Sequence, residues 1–233
     1  MMSETGADRQ SLLLRTKLAL LNIPVRGLSG HKYDYMFSPA QLGFLCEQLT
    51  RTADVPGSIV EIGCAYGATT VFLNRHLDSQ ASTADYFAID TFRGFTEADI
   101  SAEKKLGRDF HYEYEFRQNS KAAFDRTMRR NGIDRVTSFR ADAGSFDYAS
   151  IAPFRFALVD VDLYKPVLSV LRSVYALMSP GGVIVTDDCS TSAQDGMWAG
   201  AYHAFTEFTQ GSGLESVVVH EKLGVIVKPR SVP

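Results

Sequence analysis

The chain has 233 residues with 45% hydrophobic and 22% charged content, which suits one large α/β domain better than two independent ones. A formal net charge of −3 gives no overall pull toward nucleic acid or an anionic membrane. No apolar run approaches the ~18 residues of a membrane span, and the polar start from Met1 to Gln10 reads as neither a signal nor a transit peptide.

Residues 1–55 read as two helices joined by a loop, an N-terminal lid or cap ahead of a main domain spanning 56–233. Leu13, Leu14, Leu18 and Leu21 form one apolar stripe. Leu42, Leu45, Cys46 and Leu49 form another, with Ser38 as N-cap and Pro39 at the first helical position. The loop between them, His31 to Phe37, is rich in aromatic residues.

From Ser58 strands and helices alternate. Ile59–Ile62 is a short buried strand ending in glycines, followed by a helix with Val71 and Phe72. Tyr86–Asp90 is the second strand. The stretch from Phe95 to Gln118 fits no element; it is long, charged and aromatic, as lids and binding loops are. A helix from about Ser120 to Arg130 stops at Asn131-Gly132; its Arg126, Arg129 and Arg130 read as a solvated face rather than a nucleic-acid patch.

Val136–Arg140 and Phe156–Asp160 are the third and fourth strands. A strongly periodic helix follows, with Val167, Val170, Leu171, Val174 and Met178. Ser179-Pro180-Gly181-Gly182 ends it and feeds the fifth strand, Val183–Thr186. A helix with Trp198, Tyr202, Phe205 and Phe208 reads as core packing. Ser216–His220 and Val225–Lys228 close the chain as an antiparallel hairpin through Glu221-Lys222-Leu223-Gly224. The pattern predicts a mostly parallel, Rossmann-like sheet with helices on both faces and a C-terminal antiparallel hairpin.

In an open α/β sheet, ligands sit outside the carboxyl ends of the strands. The first strand ends Glu61-x-Gly63-x-x-x-Gly67 and a helix opens directly. The spacing differs from the dinucleotide pattern, and an acid takes the place of its leading glycine. A pyrophosphate wants backbone donors and no carboxylate beside it. S-adenosylmethionine, with an ammonium, a sulfonium and a ribose, tolerates an acid there. Asp90 ends the second strand, where an acid accepts ribose hydroxyls, a device that nicotinamide-dependent oxidoreductases share. Asp142 suits the adenine amino group, or a plain cap. The candidate cofactor-binding set is Glu61, Gly63, Tyr66, Gly67, Asp90, Thr91, Asp142 and Asp160.

The fourth strand runs into Asp160-Val161-Asp162, two carboxylates on one side if the extended conformation persists. The fifth ends in Asp187-Asp188. Neighbouring strands lie about 4.8 Å apart, so these acids crowd one volume and repel unless a cation intervenes. An oxygen-only cluster suits Mg²⁺. The three cysteines, Cys46, Cys64 and Cys189, lie far apart without a Cys-x-x-Cys pair, which argues against zinc or a disulfide framework and for a reducing cytoplasm. His31, His76, His111, His203 and His220 form no metal-spaced pair. His31 and His111 fall in the two expected lid segments, within reach of a substrate.

The run Asp160-x-Asp162-x-Tyr164, then Ser179-Pro180-Gly181-Gly182 to Asp187-Asp188, with Val60-Glu61-x-Gly63 and Asp90-Thr91-Phe92-x-Gly94-Phe95, resembles the macrocin O-methyltransferase family. Such a sheet with a terminal hairpin is also the arrangement of class I methyltransferases. The resemblance covers most of residues 55–190. It implies a Mg²⁺- and S-adenosylmethionine-dependent O-methyltransferase acting on a sugar hydroxyl, and a homo-oligomer, expected to be a dimer. By motif it implies Asp160, Asp187 and Asp188 as metal ligands and Asp162 as candidate general base, with the division of work between Asp160 and Asp162 open. The chain departs from the family pattern around Asp142 and in 95–118, where acceptor contacts are expected.

Four alternatives remain at this point. A catechol-type O-methyltransferase shares the fold but resembles an Asp…Asp-Asn ligand set. Nitrogen methylation lacks its Asn/Asp-Pro-Pro-Tyr motif and a basic surface. A nucleotide-dependent oxidoreductase is disfavoured by the turn spacing and the hairpin. A non-catalytic scaffold is disfavoured by the intact acids.

Overall fold

A computed structural model describes residues 35–107, 116–190 and 199–230. The chain divides into two units, Met1–Tyr35 and Met36–Pro233, and the second carries everything below. The stripe expected at Leu13–Leu21, His31, His111 and Trp198 lie outside the described residues.

Helix α1 (Pro39–Arg51) begins where Ser38-Pro39 places it. The Ser38 hydroxyl accepts the Gln41 N–H at 3.3 Å, and Gln41 Oε1 accepts the Ser38 N–H at 2.8 Å, a reciprocal capping box. The elements then run β1 (Ser58–Ile62), α2 (Ala68–Ser79), β2 (Tyr86–Asp90), α3 (Glu97–Lys105), α4 (Lys121–Arg130) and β3 (Val136–Arg140). A 3₁₀ turn (Tyr148–Ile151) precedes β4 (Phe154–Val159), α5 (Tyr164–Leu177), β5 (Met178–Thr186), α6 (Ala199–Gly211), β6 (Ser216–Val219) and β7 (Leu223–Val227).

The seven strands form one sheet in the order β3-β2-β1-β4-β5-β7-β6, parallel through β5, with β7 antiparallel to both β5 and β6. Every residue of β1 and β4 is buried, so both faces of the sheet's centre are covered, and with the apolar side chains the strands bury three polar ones, Ser58, Glu61 and Arg155. The edge strands β3 and β6 are largely open. Outward progression from β1 to β3, then a return to β4 on the other side of β1, puts the topological switch between β1 and β4.

Three expectations change. Helix α3 occupies part of the segment read as structureless: the Thr96 hydroxyl accepts the Asp99 N–H and donates to Asp99 Oδ2, capping a helix with one buried apolar residue, Ile100. So weak a stripe hides the periodicity. Strand β5 starts at Met178, with Ser179–Gly182 bulging where its register to β4 jumps. The hairpin turn is His220–Lys222, with His220 and Glu221 at φ +47° and +72°. By contrast, Arg126, Arg129 and Arg130 are exposed on α4 as expected.

Candidate active site

Strand register builds the site. Ile62, Val159 and Thr186 stand side by side on β1, β4 and β5, and Thr186 faces Gly224 of β7. The ladder continues one residue further. The Gly63 N–H donates to Ile89 O at 2.8 Å, Asp160 N–H to Ile62 O at 2.8 Å, and Asp187 N–H to Val159 O at 2.9 Å. Gly63, Asp160 and Asp187 therefore form a row across the carboxyl edge. Counting back along antiparallel β7 sets Leu223 opposite Asp187 and Lys222, just ahead of the strand, one step past the row beside Asp188, where its carbonyl accepts the Cys189 N–H at 2.7 Å. One cavity runs along the row, lined by Gly63, Asp160, Asp162, Asp187, Asp188 and Lys222 among others.

At one end lie Ala65, Asp90, Thr91, Asp142 and Ala143. Asp90 is a hub. Its Oδ2 accepts the N–H groups of Cys64 at 3.0 Å and Ala65 at 2.8 Å, and its Oδ1 that of Phe92 at 2.6 Å. Burial pushes its pKa up, and those bonds work against the shift. Thr91 donates to Gly94 O at 2.6 Å, closing a tight turn. Asp142 is exposed and accepts the Gly144 N–H at 2.9 Å.

The turn's glycines answer to the protein's own packing. At Gly63, φ is +86° and a Cβ would sit 1.7 Å from Asp160 O, so only glycine lets β1 and β4 run on together. At Gly67 a Cβ would meet Met128 Cε at 2.7 Å and the Phe124 ring at 3.0 Å, both on α4.

Glu61, Tyr66 and Gly67 do not line the cavity. Glu61 is 1% exposed, with Oε2 accepting the Tyr86 hydroxyl at 2.6 Å. Burial pushes its pKa up to about 7 against that bond. Glu61 thus ties β1 to β2 beneath the turn.

At the other end the four aspartates share one electrostatic neighbourhood. Burial first, then Asp187, Asp162 and Asp188, drive the Asp160 pKa well above the carboxylate range. Burial and Asp188 raise that of Asp187 to about 7, with Lys222 opposing. Asp187 Oδ1 is buried without a hydrogen-bond partner among the described residues. Lys222 Nζ donates to Asp187 Oδ2 at 2.7 Å and to Asp188 Oδ1 at 3.3 Å. Burial disfavours the lysine's charge, but Asp187 and Asp188 outweigh it and hold its pKa above the ordinary value.

The alternation argument for Asp160 and Asp162 does not hold. β4 ends at Val159, and Leu163 N–H donates to Val161 O at 2.6 Å with Asp162 at φ +59°, a strained positive-φ γ-turn. Both acids still reach the cavity, through the turn rather than through strand geometry. Asp188, at φ +55°, leaves extended conformation likewise. An apolar wall of Met36, Phe95, Phe116 and Pro166 completes the lining. The Phe95 and Phe116 rings meet edge-on, centroids 6.0 Å apart.

Lys222 and Pro166 went unread in the sequence as site residues. Lys222 shows only once the hairpin register is known. The expectation for 95–118 as acceptor contact reaches the cavity at Phe95, Thr96, Asp99 and Phe116.

Among solved structures the chain is similar to the O-methyltransferase NovP, at 18% identity and TM-score 0.68, covering 82% of this chain and 79% of that one. It is also similar to the calicheamicin methyltransferase CalS11, at 16% identity and TM-score 0.61 over 97% and 94% of the two chains. Cofactor-bound Rv0187 from MTB matches at 16% identity and TM-score 0.60 over 99% and 100%. No curated protein sequence matches. Those likenesses carry the fold; the family rests on sequence, where the model described as macrocin-O-methyltransferase (TylF) matches residues 40–220. The chain belongs to the macrocin-O-methyltransferase family and is an S-adenosylmethionine-dependent O-methyltransferase.

Proposed function

We propose that the enzyme methylates a hydroxyl of a sugar, glycoside or oligosaccharide. The observation that carries this reading is the single cavity in which the strand-end turn at Gly63 and the acids after β4 and β5 meet. Likeness to CalS11, described as a TDP-rhamnose 3′-O-methyltransferase, supports a sugar acceptor. On this reading the donor takes the end at Gly63, Asp90, Thr91 and Asp142. Glu61, Tyr66 and Gly67 serve it as positioning residues, by holding the turn.

A sugar hydroxyl is too weak an acid to ionise unaided near neutral pH, so a base and a cation are both useful. As the sulfonium carbon–sulfur bond breaks, an oxygen–carbon bond forms. The hydroxyl proton passes to a carboxylate of the Asp160–Asp162 pair, and S-adenosylhomocysteine leaves. Asp160, Asp187 and Asp188 would hold Mg²⁺, which when bound supplies Lewis-acid polarisation at the acceptor oxygen. The donor set suits that ion in kind: three carboxylates, with Asp187 Oδ1 buried and without a hydrogen-bond partner among the described residues. Their present arrangement is not a finished ligand shell; no group of three His, Cys, Asp or Glu side chains among the described residues is set to hold a metal.

No helix among the described residues is long and apolar enough to cross a membrane. Cys46, Cys64 and Cys189 carry free thiols, which supports a reducing cytoplasm. Assembly as a homo-oligomer, a dimer, belongs to the same family reading.

The test is a glycoside and catechol panel with the Asp187→Ala/Asp188→Ala enzyme beside the wild type. Transfer to glycosides should fall by roughly 10³-fold, with S-adenosylhomocysteine affinity within a few-fold. Full activity in EDTA would sink the metal, and transfer to catechols alone would sink the sugar.

A further inference from the structure

Lys222 is built into its position from several sides. It follows two positive-φ residues, His220 and Glu221, that swing the turn over the edge of the sheet. Helix α1 grips the same turn. Gln41 Nε2 donates to His220 O at 2.9 Å, and the Phe44 and His220 rings lie 5.2 Å apart. The ammonium stands 5.0 Å from the Phe37 ring centroid, a cation–π contact. On β7, Gly224 leaves no space for a side chain: a Cβ would meet Cys189 Sγ and the Phe205 ring at 2.7 Å.

An exposed lysine–carboxylate pair is worth little. This one differs, because its side chain is 22% exposed against 3% for Asp187 and 15% for Asp188. A charged group is held so far from water only with close partners. The ammonium takes Asp187 Oδ2 and Asp188 Oδ1, both from residues assigned above to the divalent ion. Asp187 Oδ1, on the far side of the same carboxylate, stays without a partner among the described residues. Asp187 and Asp188 together offer four carboxylate oxygens and the ammonium engages two, so the lysine does not saturate the pair.

We propose that Lys222 is a resident second cation of the acceptor site, sharing Asp187 and Asp188 with the divalent ion and weakening its hold. The proposal rests on the metal reading above and adds what that reading lacks: a residue that sets how much metal the enzyme demands. Two cations on neighbouring oxygens repel. The lysine also engages oxygens that would otherwise be free to turn toward the metal. Replacing its charge should therefore tighten metal binding, whereas a lysine that only braces the ligands would loosen it when removed.

The test is Mn²⁺ alone, added to the 233-residue chain without donor, with free Mn²⁺ followed by electron paramagnetic resonance. Wild type is compared with Lys222→Met, Lys222→Gln and Lys222→Arg. The Mn²⁺-dependent rise in melting temperature provides a second readout. Both neutral variants should bind Mn²⁺ at least tenfold more tightly than wild type, and Lys222→Arg should stay within about threefold of it. S-adenosylhomocysteine binding by calorimetry identifies which variants are folded; Lys222→Gln serves if Lys222→Met is not. Equal or weaker Mn²⁺ binding in the folded neutral variants, with wild type binding well, overturns the role of Lys222 and leaves the metal reading intact. Absence of Mn²⁺ binding in every protein overturns both.

Discussion

Asp90 and Asp187 are strand-end carboxylates lining one cavity, yet the protein holds them in different ways. Asp90 accepts three backbone N–H groups from the turns around it. Asp187 has Lys222 on one oxygen and no described hydrogen-bond partner on the other. On the proposed reading the donor end is thus satisfied by its own main chain and arrives already shaped. The proposed acceptor end keeps a buried carboxylate oxygen without a described partner, which is what a site needs if it is to recruit a cation. The contrast also explains why the two ends must be tested separately: one fails through shape, the other through charge.

The largest effect should come from the seam between them. Gly63→Ala drives a Cβ to 1.7 Å from Asp160 O in a left-handed backbone, so β1 and β4 must part. Overpacking plus the conformational penalty makes this roughly 3–5 kcal/mol. The melting temperature should fall by roughly 10 °C, and S-adenosylhomocysteine and Mn²⁺ affinity should fall together. Loss of one with the other intact would show that the ends are not joined at this contact.

A second effect sharpens the donor end. Glu61 keeps its proton up to about pH 7 in the fold, whereas its ordinary value is 4.5. Between those values the folded chain binds more protons than the unfolded one, so this residue's contribution to stability is present below 4.5 and is lost as pH rises through 7. Glu61→Gln, which still accepts from Tyr86, should be on the order of 3 kcal/mol better off relative to wild type at pH 8 than at pH 4. Denaturant melts at the two pH values measure this. A pH-independent difference would mean Glu61 is ionised in the fold.

The smallest effect probes the packing beneath the turn. Ser120 caps α4, accepting the Ala123 N–H at 3.2 Å, and α4 carries the Phe124 and Met128 that press on Gly67. Ser120→Ala should cost about 1 kcal/mol with donor affinity changed less than twofold. A larger loss of affinity would mean that the turn's shape depends on this helix rather than on Asp90.

Much of this was legible before any coordinates. The alternation of elements gave the sheet, and the strand-end rule picked Gly63, Asp90, Asp160, Asp187 and Asp188, because parallel strands of one sheet all bring their carboxyl ends to the same edge. Lys222 was not legible, since its place depends on the register of an antiparallel hairpin, and a slip of one residue would turn the lysine away. Helix α3 was hidden because its one buried apolar side chain gives no stripe, although Thr96 and Asp99 stood at capping distance in the sequence. Asp162 reached the cavity for a reason unlike the one expected. Alternation along a strand was the wrong guide where the chain had already turned.

The apolar wall of Met36, Phe95 and Phe116 carries a different kind of consequence. None of these residues belongs to the row of strand ends, and each sits on a connection outside the seven strands. Substitutions there can reshape what the cavity admits while Gly63, Asp90 and the acids keep their registered positions. A lineage, or an engineer, that sought a new acceptor would find the freedom to vary concentrated in these connecting segments, with the chemistry carried along unchanged.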